Sequence, residues 1–252
     1  MSKPSSTGTL SLSILAAAIL SILSILPAQE PAAIPVESES HHHVVLDNSY
    51  VRVLFVEIPA HESTLLHHHD LPYVSLPPGG ADAVSVPAGA RQGTAPFRVG
   101  YSPGGFSHAV SNSSDRTLRN VAIELVRPQG AIRNRCSEVV KGQPLEDCDM
   151  PKSGATSSPS HYTAFETGEI LVEVWDVPAG LATSPMDDPM DMLVGNLTGV
   201  SVTSTSGVDS ANALRGGVLW IPAGSKPVFK SGAASGGHFV TITFKDSGSA
   251  EH

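Results

Sequence analysis

Three consecutive histidines, His67, His68 and His69, stand inside an apolar run from Leu65 to Val74, LLHHHDLPYV. The run reads as a β-strand, and strand side chains alternate between faces. His67 and His69 therefore share one face, about 6–7 Å apart, and His68 takes the other. Two neutral imidazoles at that spacing can reach one metal ion, and imidazole suits divalent zinc, iron, copper and nickel. A transition metal needs at least a third protein ligand. His108 supplies one, since it follows the turn Pro103-Gly104-Gly105 and opens a strand in YSPGGFSHAVSN. A pair on one strand plus a single histidine on another is how a β-barrel builds a metal site. Three imidazoles leave about one to three positions open, and open positions separate a catalytic site from a structural one.

Other residues could join this chemistry. Tyr73 lies four residues beyond His69 and so shares its face; it reads as cavity lining or as an outer phenol rather than a ligand. Glu124 shares a strand face with Asn120 and Ala122, opposite Val121, Ile123 and Leu125. If that face points into a barrel, Glu124 is a fourth ligand or a general base; if it points out, it is a solvated strand residue. Arg52 and Arg98 are of the right type to hold an anion, but nothing in the sequence places them inside. The triplet His41, His42 and His43 reads as the exposed, polar start of a strand. Asp187, Asp188 and Asp191 read as a solvated acidic loop rather than a hard-cation cluster, and His161 and His238 as surface or packing residues.

The elements around these residues are read as strands. Tyr50–Ile58, YVRVLFVEI, is rich in β-branched and aromatic residues, and short runs follow at Ala83–Val86, Phe97–Tyr101, Ser107–Ser111 and Val121–Val126. The chain of 252 residues carries 23 glycines and 20 prolines. Many short strands, frequent Gly/Pro turns and no convincing helix predict an all-β sandwich or barrel. The net charge of −9 argues against nucleic acid and against an acidic membrane surface.

Lys3 precedes an uncharged stretch, Leu10–Leu26, followed by Pro27-Ala28-Gln29. This is the layout of a secretory signal peptide, residues 1–28, and the runner-up is an uncleaved anchor. Either way the chain is exported, periplasmic or secreted, and after cleavage no membrane contact is expected. Residues 29–40, ending in ESES, read as a linker. Cys136 and Cys148, the only cysteines, are expected to pair in an oxidising compartment.

An internal duplication organises the rest. Asn48–Ala60 falls on Thr167–Ala179, Pro103–Gly105 on Pro222–Gly224, and Val121–Ile123 on Val240–Ile242, all at one gapless offset of 119. Two repeats predict two similar β domains, 41–128 and 161–247, joined by a connector at 129–160. At the same offset His67, His69 and His108 become Met186, Asp188 and Pro227, so the second domain is expected to keep the barrel without the metal.

On these motifs the chain resembles the cupin superfamily. The first cupin motif is glycine, five residues, His-x-His, three or four residues, glutamate, six residues, glycine. Here His61 stands at the first glycine, His67 and His69 at the ligand positions, Tyr73 at the glutamate and Gly80 at the last glycine. The second motif ends Pro-x-Gly-x-x-His-x-x-x-Asn, matched by Pro103, Gly105, His108 and Asn112, while its leading glycine falls at Phe97. The resemblance implies two tandem jelly-roll (double-stranded β-helix) barrels, a bicupin with a degenerate second barrel. It implies one divalent transition metal (iron, manganese, zinc, nickel or copper) on His67, His69 and His108. With the glutamate replaced, the neutral ligands leave the ion its full charge, which suits an anionic enolate, carboxylate or phenolate. The function expected is a dioxygenase-type oxidoreductase similar to the quercetinase-like bicupins, with Tyr73 and Glu124 beside the metal. The alternatives are a non-catalytic binder of metal or a small-molecule ligand, and zinc-hydroxide chemistry. A homodimer is compatible with the sequence.

Overall fold

The computed structural model describes residues 32–79, 99–141, 157–187, 190–232, 234 and 236–245. The expected signal peptide, the expected strand Ala83–Val86, Gly80, Phe97, Arg98, Cys148 and Asp188 lie outside them. The described residues are almost all strand and turn, and none of their helices is long and apolar enough to cross a membrane. The first half contributes β1 (Ile34–Pro35), β2 (His42–Asp47), β3 (Val51–Ile58), β4 (His67–His69), β5 (Tyr73–Leu76), β6 (Gly100–Ser102), β7 (Phe106–His108) and β8 (Leu118–Leu125). They form a five-stranded sheet, β2-β3-β8-β5-β6, and a three-stranded sheet, β1-β4-β7. After β9 (Ile132–Asn134) and β10 (Val139–Val140) come β11 (Ser160–Glu166), β12 (Ile170–Val177), β13 (Met192–Thr198), β14 (Val200–Thr203), β15 (Leu219–Ile221), β16 (Val228–Ser231) and β17 (Gly237–Phe244). These give a seven-stranded sheet, β10-β9-β11-β12-β17-β13-β15, and the pair β14-β16.

Several strands of the two halves repeat at one offset. Strand β12 is β3 displaced by 170 − 51 = 119, β17 is β8 by 237 − 118 = 119, and β15 is β6 by 219 − 100 = 119. Pairing follows the same shift: Tyr73 opposes Glu124 as Met192 opposes Thr243. Turn chemistry follows it too. The Asn48 side chain accepts the Tyr50 and Val51 amides, and Thr167 Oγ1 accepts those of Glu169 and Ile170. The first motif's opening position is a turn that demands a positive φ. His61 adopts it at 61° and Gly180, its repeat equivalent, at 74°, which explains why glycine suits that position.

Strands β3, β8, β12 and β17 carry apolar residues on both faces, one face fully apolar in β8 and the other mixed, because both faces are covered. One face of each large sheet, Val51, Val53, Phe55, Val121, Ile123 and Leu125 from the first and Val172, Val174, Val240 and Ile242 from the second, joins a single core shared by the halves. The other faces line two separate interiors. That of the first half holds Leu54, Val56, Ile58 and Ala122; that of the second is packed with Phe229, Phe239, Met192 and Leu219.

Two expected connecting segments are corrected. Residues within 29–40 are not a free linker: β1 pairs in parallel with β4, Ile34 opposite His67, and Val36 and Glu39 are buried. The segment reads as a linker because Pro, Ala and Ser give it no period, yet its backbone caps the β4 edge. Within 129–160, β9 and β10 extend the second sheet, β9 pairing with β11.

Candidate metal centre

Register places the histidines. Strands β4 and β7 are antiparallel with His67 directly opposite His108, and their ring centroids lie 4.6 Å apart. His67 and His69, two apart on β4, have centroids 5.2 Å apart, and His69 and His108 5.3 Å. His67 and His69 are buried, whereas His68 is half-buried on the opposite face beside Asp70. The three motif histidines therefore converge and His68 does not join them.

His42 does join them, against the reading of the 41–43 triplet as an exposed strand start. It is 8 % exposed, and its ring centroid lies 4.6 Å from His67 and 6.1 Å from His69. His42, His67 and His69 each offer a ligand atom within 4.8 Å of the other two, a set of three buried histidines able to hold a metal ion. The cause is Glu39, whose buried carboxylate is a hub. Nδ1 of His42 donates to it at 2.7 Å, Nδ1 of His41 at 3.0 Å, and the amides of His41 and Leu65 at 2.9 and 3.2 Å. Neither Glu39 nor His42 belongs to a cupin motif. At the 119 offset His42 falls on His161, an exposed histidine whose ring packs at 4.0 Å on Trp175.

The hydrogen bonds fix which nitrogen faces inward. A carbonyl or carboxylate only accepts. Nδ1 of His67, 2.9 Å from the Leu65 carbonyl oxygen, and Nδ1 of His42 on Glu39 therefore carry the protons. Nδ1 of His69 does the same toward Glu124 Oε1 at 3.3 Å. Each ring then presents an unprotonated Nε2, the form that binds metal, oriented by an outer acceptor. Nε2 of His67 is buried and finds no hydrogen-bond partner in the protein. Such an orphan costs about 1–3 kcal/mol unless something satisfies it. The residues present fit a divalent transition ion.

Burial favours the neutral form of His42, His67 and His108. It lowers His42 to about 4, Glu39 working against it, and lowers His108 to about 4 with help from the neighbouring His67 and His69. His67 is lowered as well, chiefly by burial. Glu39 moves the other way in charge. Burial opposes its ionisation, but its hydrogen bonds from His41, His42 and the His41 and Leu65 amides prevail and hold it at about 2.

Tyr73 faces the interior, its ring centroid 4.5 Å from His69 and 6.4 Å from Phe106. Burial raises its phenol and so preserves its proton, though a hydrogen bond with Ser102 acts in the opposite sense. Glu124 also faces inward and is 2 % exposed. Its oxygens are occupied, one by His69 Nδ1 and the other 3.7 Å from Arg52 Nη1. Of the two readings of Glu124 the solvated one is set aside, since the side chain is buried and bonded to His69. Arg52 is spent on Asp47, Glu37 and Glu124 rather than facing a ligand. In the acidic loop Asp187 pairs with Lys226 and Asp191 accepts the Ala223 amide.

The second interior is filled with aromatic rings where the first carries smaller residues. Val56, Val110 and Asn120 become Trp175, Phe229 and Phe239 at the 119 offset. Phe239 stacks on Phe229 at 4.0 Å and on Trp175 at 5.7 Å. The Met186 amide donates to the Pro227 carbonyl, preserving the His67–His108 pairing without its ligands.

No protein family matches the sequence, and no curated protein matches it either. Solved structures do. AerE from Microcystis aeruginosa shares 9 % identity at a TM-score of 0.52, over 84 % of this chain and 96 % of that one. A single-residue variant of salicylate 1,2-dioxygenase from Pseudoaminobacter salicylatoxidans, in complex with gentisate, shares 10 % identity at 0.50, over 83 % of this chain and 76 % of that one. A cupin 2 conserved barrel domain protein from Leptotrichia buccalis overlaps more loosely, at 9 % identity and 0.43, over 81 % of this chain and 88 % of that one. Likeness at such identity shows the fold alone, an all-β chain of jelly-roll type.

Proposed function

We propose that the first barrel holds one divalent transition metal on His67, His69 and His108, and that the protein is an exported dioxygenase-type oxidoreductase acting on a small phenolic or enolic anion. The observation that carries the reading is Nε2 of His67, buried, unprotonated and unpartnered beside converging imidazoles. When bound, the metal supplies a Lewis-acid and redox centre. The protein's part is to hold neutral donors in place and to present an apolar, aromatic approach. Tyr73 keeps its proton and so offers a hydrogen-bond donor to an anionic oxygen, while Phe106, 38 % exposed, forms a wall beside His108. A phenolic carboxylate such as the gentisate of the dioxygenase neighbour has the charge and ring that this approach suits. Oxygen uptake with phenolic substrates, abolished by His108→Ala, is the expected result. Protein that remains metal-free when supplied with each divalent ion in turn would refute the proposal. A non-catalytic bicupin that binds metal or a small ligand is the second reading. It draws on Tyr73 in place of the usual carboxylate, and on a second interior closed by Trp175, Phe229 and Phe239. Tight ligand binding with no product by mass spectrometry would favour it.

A further inference from the structure

We infer that His42 is a fourth ligand of the same metal, delivered by the N-terminal strap 34–42 and held in place by Glu39. The inference rests on the proposal that the barrel binds a transition ion, and it adds a ligand that lies outside both histidine motifs.

Three independent observations carry it. First, His42 is placed with the motif histidines. It is buried, its ring lies nearer to His67 than His69 does, and its ligand atom lies within 4.8 Å of those of His67 and His69. Second, its orientation is fixed. Nδ1 is engaged by Glu39 Oε2, so Nε2 is the atom left for coordination. A carboxylate behind a ligating imidazole sets its tautomer and raises its basicity. Glu124 stands in the same relation to His69, and the Leu65 carbonyl to His67. Third, the strap is anchored on the strand that carries the ligand pair. Ile34 donates its amide to Leu66, Leu65 donates its amide to Glu39, and Ile34 and Pro35 stand opposite His67 and His68.

The chemistry follows from the donor set. Where Tyr73 has displaced the family's carboxylate, a fourth imidazole restores the ligand count without restoring the negative charge. The ion keeps its full charge and loses one open position. The carboxylate survives one bond further out, as Glu39, which tunes the imidazole rather than the metal.

The test uses the full chain loaded with cobalt(II), by chelator competition and by proton NMR of the paramagnetic protein. His42→Ala is expected to weaken cobalt binding by at least about a hundredfold and Glu39→Gln by about tenfold, with His68→Ala unchanged. Loaded wild type should show a contact-shifted, exchangeable ring N–H from His42, lost in His42→Ala and displaced in Glu39→Gln. The wild-type and Glu39→Gln spectra decide the matter even if His42→Ala fails to fold. Equal affinity for wild type and His42→Ala, or an identical contact-shifted set, would overturn the inference and leave the three-histidine site standing. A wild type that binds no cobalt or zinc would overturn the metal-site proposal itself, and the fourth ligand with it.

Discussion

Replacing Glu124 separates two roles that a buried carboxylate beside a metal site can play. The structure makes it the acceptor for His69 Nδ1, 3.3 Å away, and places no metal-facing atom on it. Glu124→Gln keeps the shape and an acceptor oxygen but removes the charge. Glu124→Ala removes the acceptor and strands a buried imidazole N–H. A hydrogen bond to a charged partner contributes about 1.5–3 kcal/mol, and loss of an outer partner costs about 10–100-fold in metal affinity, or about 1.4–2.7 kcal/mol. Glu124→Gln should therefore fall near the tenfold end and Glu124→Ala near the hundredfold end. The fold should tolerate both, because Arg52 retains Asp47 at 3.2 Å and Glu37 at 3.4 Å. Zinc affinity by chelator competition at about pH 7 is the assay. Glu57→Gln is the control, since Glu57 pairs with Arg119 and Arg215 away from the site. If Glu124→Ala abolished turnover while zinc affinity stayed within about twofold of wild type, the positioning argument would be wrong and Glu124 would be a base.

Other outcomes follow from the same geometry. His42 and His108 titrate at about 4 in the folded chain against 6.5 when unfolded, so below pH 6.5 the unfolded state binds more protons. Stability of the metal-free protein should fall as pH drops from 6.5 toward 4, by about 1.4 kcal/mol per pH unit for His42 and less for half-buried His108. A flat urea-denaturation profile over that window would contradict this. Phe229→Ala should destabilise the protein by about 3–5 kcal/mol through a cavity between Phe239 and its neighbours, yet leave metal stoichiometry unchanged; loss of metal would show that the second interior takes part in binding. His61→Gly should raise Tm, relieving a left-handed non-glycine residue by up to about 1 kcal/mol, because the His61–Asp115 pair it removes is exposed. A fall in Tm would show that the exposed pair outweighs the backbone term.

The parts of the site that could be read from the sequence are those where spacing and strand period coincide. His67 and His69 share a face because β4 has a period of two, and His108 meets them because its turn starts β7 opposite. Parity also put Tyr73 and Glu124 on faces that prove to be interior. What parity could not supply was which face is covered. Strand β8 is apolar on one side and mixed on the other, and only the packing of Val121, Ile123 and Leu125 on the second half shows that Glu124 faces the histidines. Glu39 and His42 were hidden for a different reason. Their segment has linker composition, and its position is fixed by tertiary pairing with β4 and by a carboxylate hub, neither of which leaves a periodic trace. The offset of 119 does not help either, since it sets His42 over the exposed His161.

The two barrels show how one frame accommodates opposite interiors. A small barrel must fill its interior with side chains or use it as a site. The second fills it with Trp175, Phe229 and Phe239, stacked and buried or half-buried, where the first carries Val56, Val110 and Asn120. Beside these smaller residues lie the histidines, whose buried nitrogen atoms, with the Glu124 carboxylate, contribute little apolar burial. That interior could not stabilise a barrel alone. The opposite face of the same strands makes up the deficit: Phe55, fully buried in the shared core and capped by Arg215 at 4.3 Å, joins Val53, Val121 and Ile123 against the second half. Truncating Phe55 should therefore cost about 3–5 kcal/mol and weaken metal binding only in proportion to the unfolded fraction. The weakened binding would then follow the loss of the shared core rather than any change at the histidines.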